Sequence, residues 1–364
     1  MKMKRTIKVL AIVMAVVFAM GIALTGCGGA TKEAVKAEEP KAEPVKAGEQ
    51  ADAEKKDDNS AKKIKIGYVC KMLTHPWFLE EEKGMKDKAA ALGAGFVSID
   101  ANLKDEACVA AVDNLIAQKV DAIAITATNQ GLGPAIAKKL KEAGIALVTT
   151  DDPMKDETDK PIPHIGFAVR ELAMQGGEAL GKIANERGWF KEGNVVKVMQ
   201  IDVPNNSVIH ERTLGYQEAL KKACPQLKDS DFIVQASQDG MFDKNLPVAS
   251  AILNANPQAT HWIVTGINDD GALAPLKIFQ ENKFNMDNVI VCAFGGYELA
   301  QAEFEKGSKS IIAIGMPAYD EGALAVQTLF DNVVSKKELP EMSAIPCKLV
   351  TLDNYKEYYD AKKK

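Results

Sequence analysis

From residue 64 onward the chain alternates short apolar runs with amphipathic stretches, and this alternation restricts the fold more than any other feature of the sequence. The apolar runs fall at 64–69, 95–99, 121–126, 146–150, 163–167, 195–201, 232–236, 261–265, 289–294 and 310–314. Helical patterning fills the gaps at 78–92, 105–118, 133–143, 171–186, 209–223, 243–255, 270–281, 298–305 and 319–335. Short runs that are apolar on both faces read as strands buried on both sides, and helices between them imply parallel sheets covered on each face. About ten strands exceed what one sheet with one core holds comfortably. The expected fold is therefore α/β, with two doubly wound parallel-sheet domains.

The first residues have a different character. A basic start, MKMKRTIK, precedes an apolar stretch from Val9 to Leu24 and then LTGC. The stretch is short for a membrane span and has the layout of an export signal. The small residue before Cys27 resembles a bacterial lipoprotein cleavage site, giving a signal peptide at 1–26. Cleavage there removes Lys2, Lys4, Arg5 and Lys8 and no anion, which moves the formal charge from -5 to -9. Residues 28–61 are mainly Ala, Lys, Glu, Asp, Gly and Pro, too poor in large apolar groups to offset chain entropy. Residues 27–61 read as a lipidated cysteine and a disordered tether, holding the body on the extracytoplasmic face of the cell membrane. The acidic balance excludes a nucleic-acid surface. The body's five cysteines, Cys70, Cys108, Cys224, Cys292 and Cys347, contain no CxxC, so neither a zinc site nor a disulfide framework is expected. Cys70 and Cys292 lie in apolar runs and read as core.

In open α/β sheets ligands bind beyond the carboxyl ends of the strands. Those ends carry Lys71 and the stretch HPWF, then Thr126, Thr128 and Asn129, then Asp151 and Asp152, then Phe167 and Arg170. Later ends carry DVPNN followed by Arg212, then GINDD, then GGYE. Carboxylates, amides and cations suit fans of hydroxyl hydrogen bonds, and an aromatic face suits the apolar side of a sugar ring. Asp151 and Asp152 are adjacent and would point apart on extended chain, so Asp152 is the preferred ligand carboxylate. Asn205 and Asn206 read as turn residues, and Asp269 and Asp270 as helix-cap chemistry.

The stretches KIGYVCKMLTHPWF, LVTTDDPM, ERTLGYQEALK, WIVTGINDDGALAPLK and LVTLDNYKE resemble, in the same order, the periplasmic sugar-binding proteins of ABC transporters. The arabinose-binding members match best. The resemblance covers about residues 62–359. It implies a three-crossing hinge, with a first domain of 62–167 plus 317–343, a second of 168–316 plus 344–364, and a sugar cleft between them. It implies that Lys71, Trp77, Phe78, Asp151, Asp152, Arg212 and Asn268 contact the sugar, with Phe167 near its end; Thr126 is a candidate from its strand-end position alone. It also implies a monosaccharide ligand (an L-arabinose-like pentose or a related hexose such as galactose), an ABC transporter permease as partner, a monomer, and no cofactor or metal. Three positions depart from the arabinose pattern: His75 replaces a carboxylate, Gly295 an asparagine, and Glu298 an aspartate. His75 is expected to face the cleft and set selectivity.

Two other functions start from the same sequence. An exported hydrolase would need catalytic machinery, yet the chain has no G-x-S-x-G elbow, no H-E-x-x-H and only four His. A sensing protein would share the sugar site and report to a membrane receptor instead of a permease. The lipid anchor makes a direct prediction. Mature protein should fractionate with membranes, and Cys27→Ala should release it; wild-type protein that is wholly soluble after export would refute the anchor.

Overall fold

The computed structural model describes residues 63–362, so Cys27, the signal peptide and the tether lie outside the described residues. The strands are β1 (Lys65–Cys70), β2 (Gly95–Asp100), β3 (Ala122–Thr126), β4 (Ala146–Thr150), β5 (His164–Gly166), β6 (Val196–Asp202), β7 (Phe232–Ala236), β8 (His261–Thr265), β9 (Val289–Gly295), β10 (Ile311–Gly315), β11 (Met342–Ala344) and β12 (Lys348–Val350). The helices are α1 (Pro76–Ala91), α2 (Asp105–Ala117), α3 (Gly133–Ala143), α4 (Val169–Glu186), α5 (Ser207–Ala223), α6 (Phe242–Ala255), α7 (Asp269–Glu281), α8 (Glu298–Glu305), α9 (Ala318–Ser335) and α10 (Tyr355–Lys362). Every expected strand and helix is present to within a few residues. Three elements were not expected: β11, β12 and α10. Two are three-residue strands and the third is a short polar helix, so none carries a readable hydrophobic period.

The strands form two six-stranded sheets, ordered β11-β5-β4-β3-β1-β2 and β12-β10-β9-β8-β6-β7. All pairings are parallel except β10 with β12. Burial follows position in the sheet. Central β3, β8, β9 and β10 are buried along their whole length, whereas edge strands β2 and β7 are only partly so. Helix α9 lies against α1, β3 and β4 of the first sheet, while α4 lies against α5 and β9 of the second. The chain therefore passes between the sheets after β5, after β10, and between β11 and β12. No helix among the described residues is long and apolar enough to cross a membrane.

Each sheet has its own outer core. Ile123, Ile125, Leu115 and Leu140 fill one side of the first, and Trp262, Phe279, Val291 and Phe304 one side of the second. A third cluster covers the opposite faces of both sheets and includes Cys70 and Cys292, which are buried as expected. Helices α1 and α9 meet through glycines. A Cβ on Gly84 would overlap the Tyr319 carbonyl oxygen, and one on Gly322 would overlap the Glu81 carbonyl oxygen. A backbone obstacle cannot rotate away as a side-chain end can. Gly322→Ala should therefore force the helices apart and cost about 1–3 kcal/mol, read as a lower denaturant midpoint. An unchanged midpoint would mean that the two helices do not pack this closely.

Candidate functional site

A cavity of about 640 Å³ opens at the carboxyl ends of both sheets. Lys71, His75, Trp77, Phe78, Asp151, Asp152, Arg212 and Asn268 line it. These positions come from the ends of β1, β4 and β8 and the second turn of α5, brought together because parallel strands all end on one side.

The floor is an ion cluster. The Lys71 ammonium donates to Asp151 Oδ2 at 3.1 Å and makes a closer bond to Asp152 Oδ2. It also stands 4.9 Å from the Phe78 ring centre. Burial opposes its charge, yet the two carboxylates hold Lys71 above the ordinary lysine range. Asp151 Oδ1 faces the Arg212 guanidinium at 3.9 Å. Burial works against the Asp151 charge too, but Lys71 and Arg212 keep its carboxyl below the usual carboxylate range. Asp152 Oδ1 accepts from Asn206 Nδ2 at 2.9 Å.

The walls are aromatic and carry unused donors. Trp77 is buried edge-on against Phe167, with centroids 5.8 Å apart, and its indole N–H has no partner among the described residues. Arg212 lies 4.5 Å over the Phe294 ring and donates from one terminal nitrogen to the Ile267 carbonyl at 2.6 Å, while its Nε–H is also unpartnered. A buried donor left unpaired costs about 1–3 kcal/mol. Two such donors belong to residues that line one cavity.

His75 has two engagements. It caps α1, with Nδ1 accepting from the Trp77 N–H at 3.2 Å, and Pro76 follows at the first helical position, where no N–H is required. The accepting Nδ1 puts the proton of the neutral ring on Nε2, which faces Asp270 Oδ2 at 3.4 Å. His75 lines the cavity, and its imidazole points to a carboxylate of the second sheet's loops.

Three expected site residues lie off the cavity wall. Thr126 ends β3 with its side chain turned into the core, where its hydroxyl meets Thr150 at 2.6 Å and Tyr68 at 3.1 Å. The wall there is made by the following loop, Ala127 to Gln130. Phe167 sits behind Trp77 and fixes its ring. Glu298 is exposed at the start of α8. The reason is backbone conformation: Gly295 and Gly296 have φ of 144° and 66°, and this turn sends Tyr297 into the cavity and Glu298 to the surface.

Several lining residues escaped the sequence reading. Tyr297 stacks edge-on to His75 at 5.2 Å and donates its hydroxyl to Asp270 in a short bond. Asn206 was expected to be structural, and it does cap α5 by accepting from Ile209 N–H at 3.1 Å, but it also reaches Asp152. Asp269 and Asp270 were expected to be caps; Asn268 fills that role instead, accepting from Gly271 N–H at 2.7 Å. Asp269 accepts from the N–H groups of Gly296 and Tyr297 at 2.9 and 2.8 Å, and burial pushes its carboxyl up to about 7. Gln130 lines the cavity and joins Ser207 across the mouth, donating to its hydroxyl at 2.9 Å. The GGYE and DVPNN stretches signalled strand ends, but not which member of each would face inward.

This architecture, two parallel sheets with a polar and aromatic cavity at their carboxyl ends, is that of a two-lobed solute-binding protein. The chain belongs to the periplasmic binding protein family: the periplasmic binding protein domain matches residues 66–337. It is 28% identical over 302 residues to an ABC transporter L-arabinose-binding periplasmic protein of Azospirillum brasilense, covering 80% of this chain and 87% of that one. It is 26% identical over 310 residues to the L-arabinose-binding periplasmic protein of Escherichia coli K12, covering 83% and 92%. Among solved structures, an ABC transporter periplasmic solute-binding protein from Actinobacillus succinogenes with bound D-allose superimposes with a TM-score of 0.69 at 21% identity, covering 81% of this chain and all of that one. Family membership makes the chain a binding protein and not an enzyme.

The ion cluster gives a stability prediction. Lys71→Met would leave two buried carboxylates with only the more distant Arg212 as counter-charge. It should cost about 3–5 kcal/mol in the ligand-free protein, measured by chemical denaturation at neutral pH. Asp151's stabilisation is present above the ordinary carboxylate pKa and is lost as pH falls through its depressed value. The gap between variant and wild type should therefore shrink in acid. A loss under about 1 kcal/mol, the scale of a surface pair, would show the cluster to be solvated.

Proposed function

We propose that the protein binds a monosaccharide in this cavity, an L-arabinose-like pentose or a related hexose, and passes it to an ABC transporter permease while tethered through Cys27. The observation that carries the reading is a cavity lined by aromatic rings, by carboxylates already neutralised by Lys71, and by Trp77 and Arg212, whose buried Nε1–H and Nε–H have no partner among the described residues. Two cations against two floor carboxylates leave no excess positive charge to attract an anion. Hydroxyls can accept from the two donors and donate to the carboxylate oxygens. The rings offer apolar faces to a pyranose or furanose. Two related proteins are L-arabinose-binding, which supports the same class of ligand.

We further propose that the two lobes are hinged domains, 62–167 plus 317–343 and 168–316 plus 344–364, that close over the sugar. Contacts that join the lobes around the cavity include Asp152 with Asn206, Asp151 with Arg212, Gln130 with Ser207, and His75 with Asp270. Each links a residue beside the first sheet to one beside the second. A ligand that fills the cavity favours the arrangement in which these bonds form, the hinge closure expected of such proteins. His75 then acts in closure, and any effect on selectivity runs through Asp270.

The test is a thermal-shift and calorimetry panel of pentoses and hexoses on the purified protein. At least one neutral sugar should raise the melting temperature, and Trp77→Ala should weaken its binding by about 1–3 kcal/mol, the scale of a buried aromatic face. A panel with no stabilising sugar would overturn the assignment. Binding untouched by Trp77→Ala would place the sugar elsewhere.

A further inference from the structure

Behind the ion cluster lies a second group of carboxyls with no assigned role. Glu81 on α1 and Glu321 on α9 are both fully buried in the first lobe. The backbones of the two helices touch at this level, where Gly322 packs on the Glu81 carbonyl. Glu81 accepts from the Tyr68 hydroxyl at 2.8 Å and lies near Thr126, which in turn meets Thr150 at 2.6 Å. Glu321 Oε1 accepts from the Asp151 backbone N–H at 2.8 Å, and its Oε2 has no partner among the described residues. The residue so held is unusual: Asp151 has φ of 56°, a left-handed conformation that residues other than glycine seldom adopt. The following residue, Asp152, depends on that turn for its direction.

We propose that Glu321, 170 residues downstream of the turn, is a positioning residue of the ligand site. Its carboxyl oxygen fixes the Asp151 amide, and with it the left-handed turn from which Asp151 and Asp152 reach Lys71. The inference rests on the reading of the cavity as a sugar site. The groups facing Glu321 are overwhelmingly acidic or neutral: Glu81 from α1, Asp151 and Asp152 beyond β4, and Cys347 before β12. Tyr68 and Cys70 of β1 adjoin Glu81, and His164 of β5 faces Asp151. The cations of the site floor, Lys71 and Arg212, are engaged by Asp151 and Asp152. Burial therefore holds Glu321 well above the ordinary carboxylate range, and burial pushes Glu81 up to about 7. A protonated Glu321 keeps a carbonyl oxygen for the Asp151 amide and adds no charge beneath the site. The native state holds this proton more tightly than the unfolded chain does. Stability from Glu321 is thus fully present below the unfolded pKa and declines as pH rises toward the folded value.

The test compares Glu321→Leu, which removes the acceptor, with Glu321→Gln, which keeps an acceptor oxygen and cannot ionise. Binding is measured for L-arabinose, D-galactose, D-ribose and D-allose, and the Asp151 amide is followed by NMR hydrogen exchange in the ligand-free protein. Glu321→Leu should weaken the sugar bound by wild type at least about tenfold, some 1.4 kcal/mol, and expose the Asp151 amide to exchange. Glu321→Gln should restore both. The melting temperature of Glu321→Gln should gain on wild type as pH is raised from 5 to 9. Equal damage from Gln and Leu, an Asp151 amide still protected in the Leu variant, or parallel pH profiles would each overturn the inference. If the Leu variant does not fold, amide protection and the pH profile of the Gln variant decide it. If wild type binds none of the sugars, the sugar assignment falls, and the exchange and pH measurements still decide the role of Glu321 in holding the turn.

Discussion

The arrangement of the cavity depends on the Lys71 ammonium being held between two buried carboxylates. Without it, Asp151 and Asp152 would face each other's charge in a poorly solvated floor, and one of them would have to take up a proton or turn away. With it, the ends of β1 and β4 are locked together and the carboxylate oxygens are aimed in fixed directions. The same two aspartates reach across to the other lobe, Asp151 toward Arg212 and Asp152 toward Asn206. The interaction that neutralises the floor thus also links the two halves of the molecule.

A rigid frame is needed for such a cluster to be useful, and the helices supply it. Where α1 meets α9, and where α4 meets α5, glycines allow backbone to approach backbone with no room for a Cβ. Close contact of this kind transmits position well, because a packed interior does not deform smoothly. It also explains how a residue as distant in sequence as Glu321 comes to rest under the turn at Asp151. The aromatic walls are fixed in the same way: Phe167 sets Trp77 from behind, and Phe294 carries the Arg212 guanidinium.

Much of the fold was legible in the sequence, because buried parallel strands and their covering helices each carry a hydrophobic period strong enough to read. Elements lacking such a period, the two three-residue strands and α10, were missed. The site was legible only as far as strand ends are. Lys71, Asp152 and Arg212 stood where a ligand would meet them, but so did Thr126 and Glu298, which face the core and the solvent. Tyr297 was passed over for its neighbour because two positive-φ glycines decide which of the pair turns inward. Asn206 reads as a turn residue in the sequence, because a turn, a helix cap and a cross-lobe bond all suit the same residue type.

What the sequence by itself determined was the layer architecture and the chemical inventory at the strand ends, since both follow from local patterning. The tertiary structure decided which members of that inventory meet. Whether His75 faces Asp270, whether Asn206 reaches Asp152, and whether Glu321 lies beneath Asp151 depend on contacts between residues far apart in the chain. Such contacts are set by the packing of whole helices and sheets, and no local pattern encodes them.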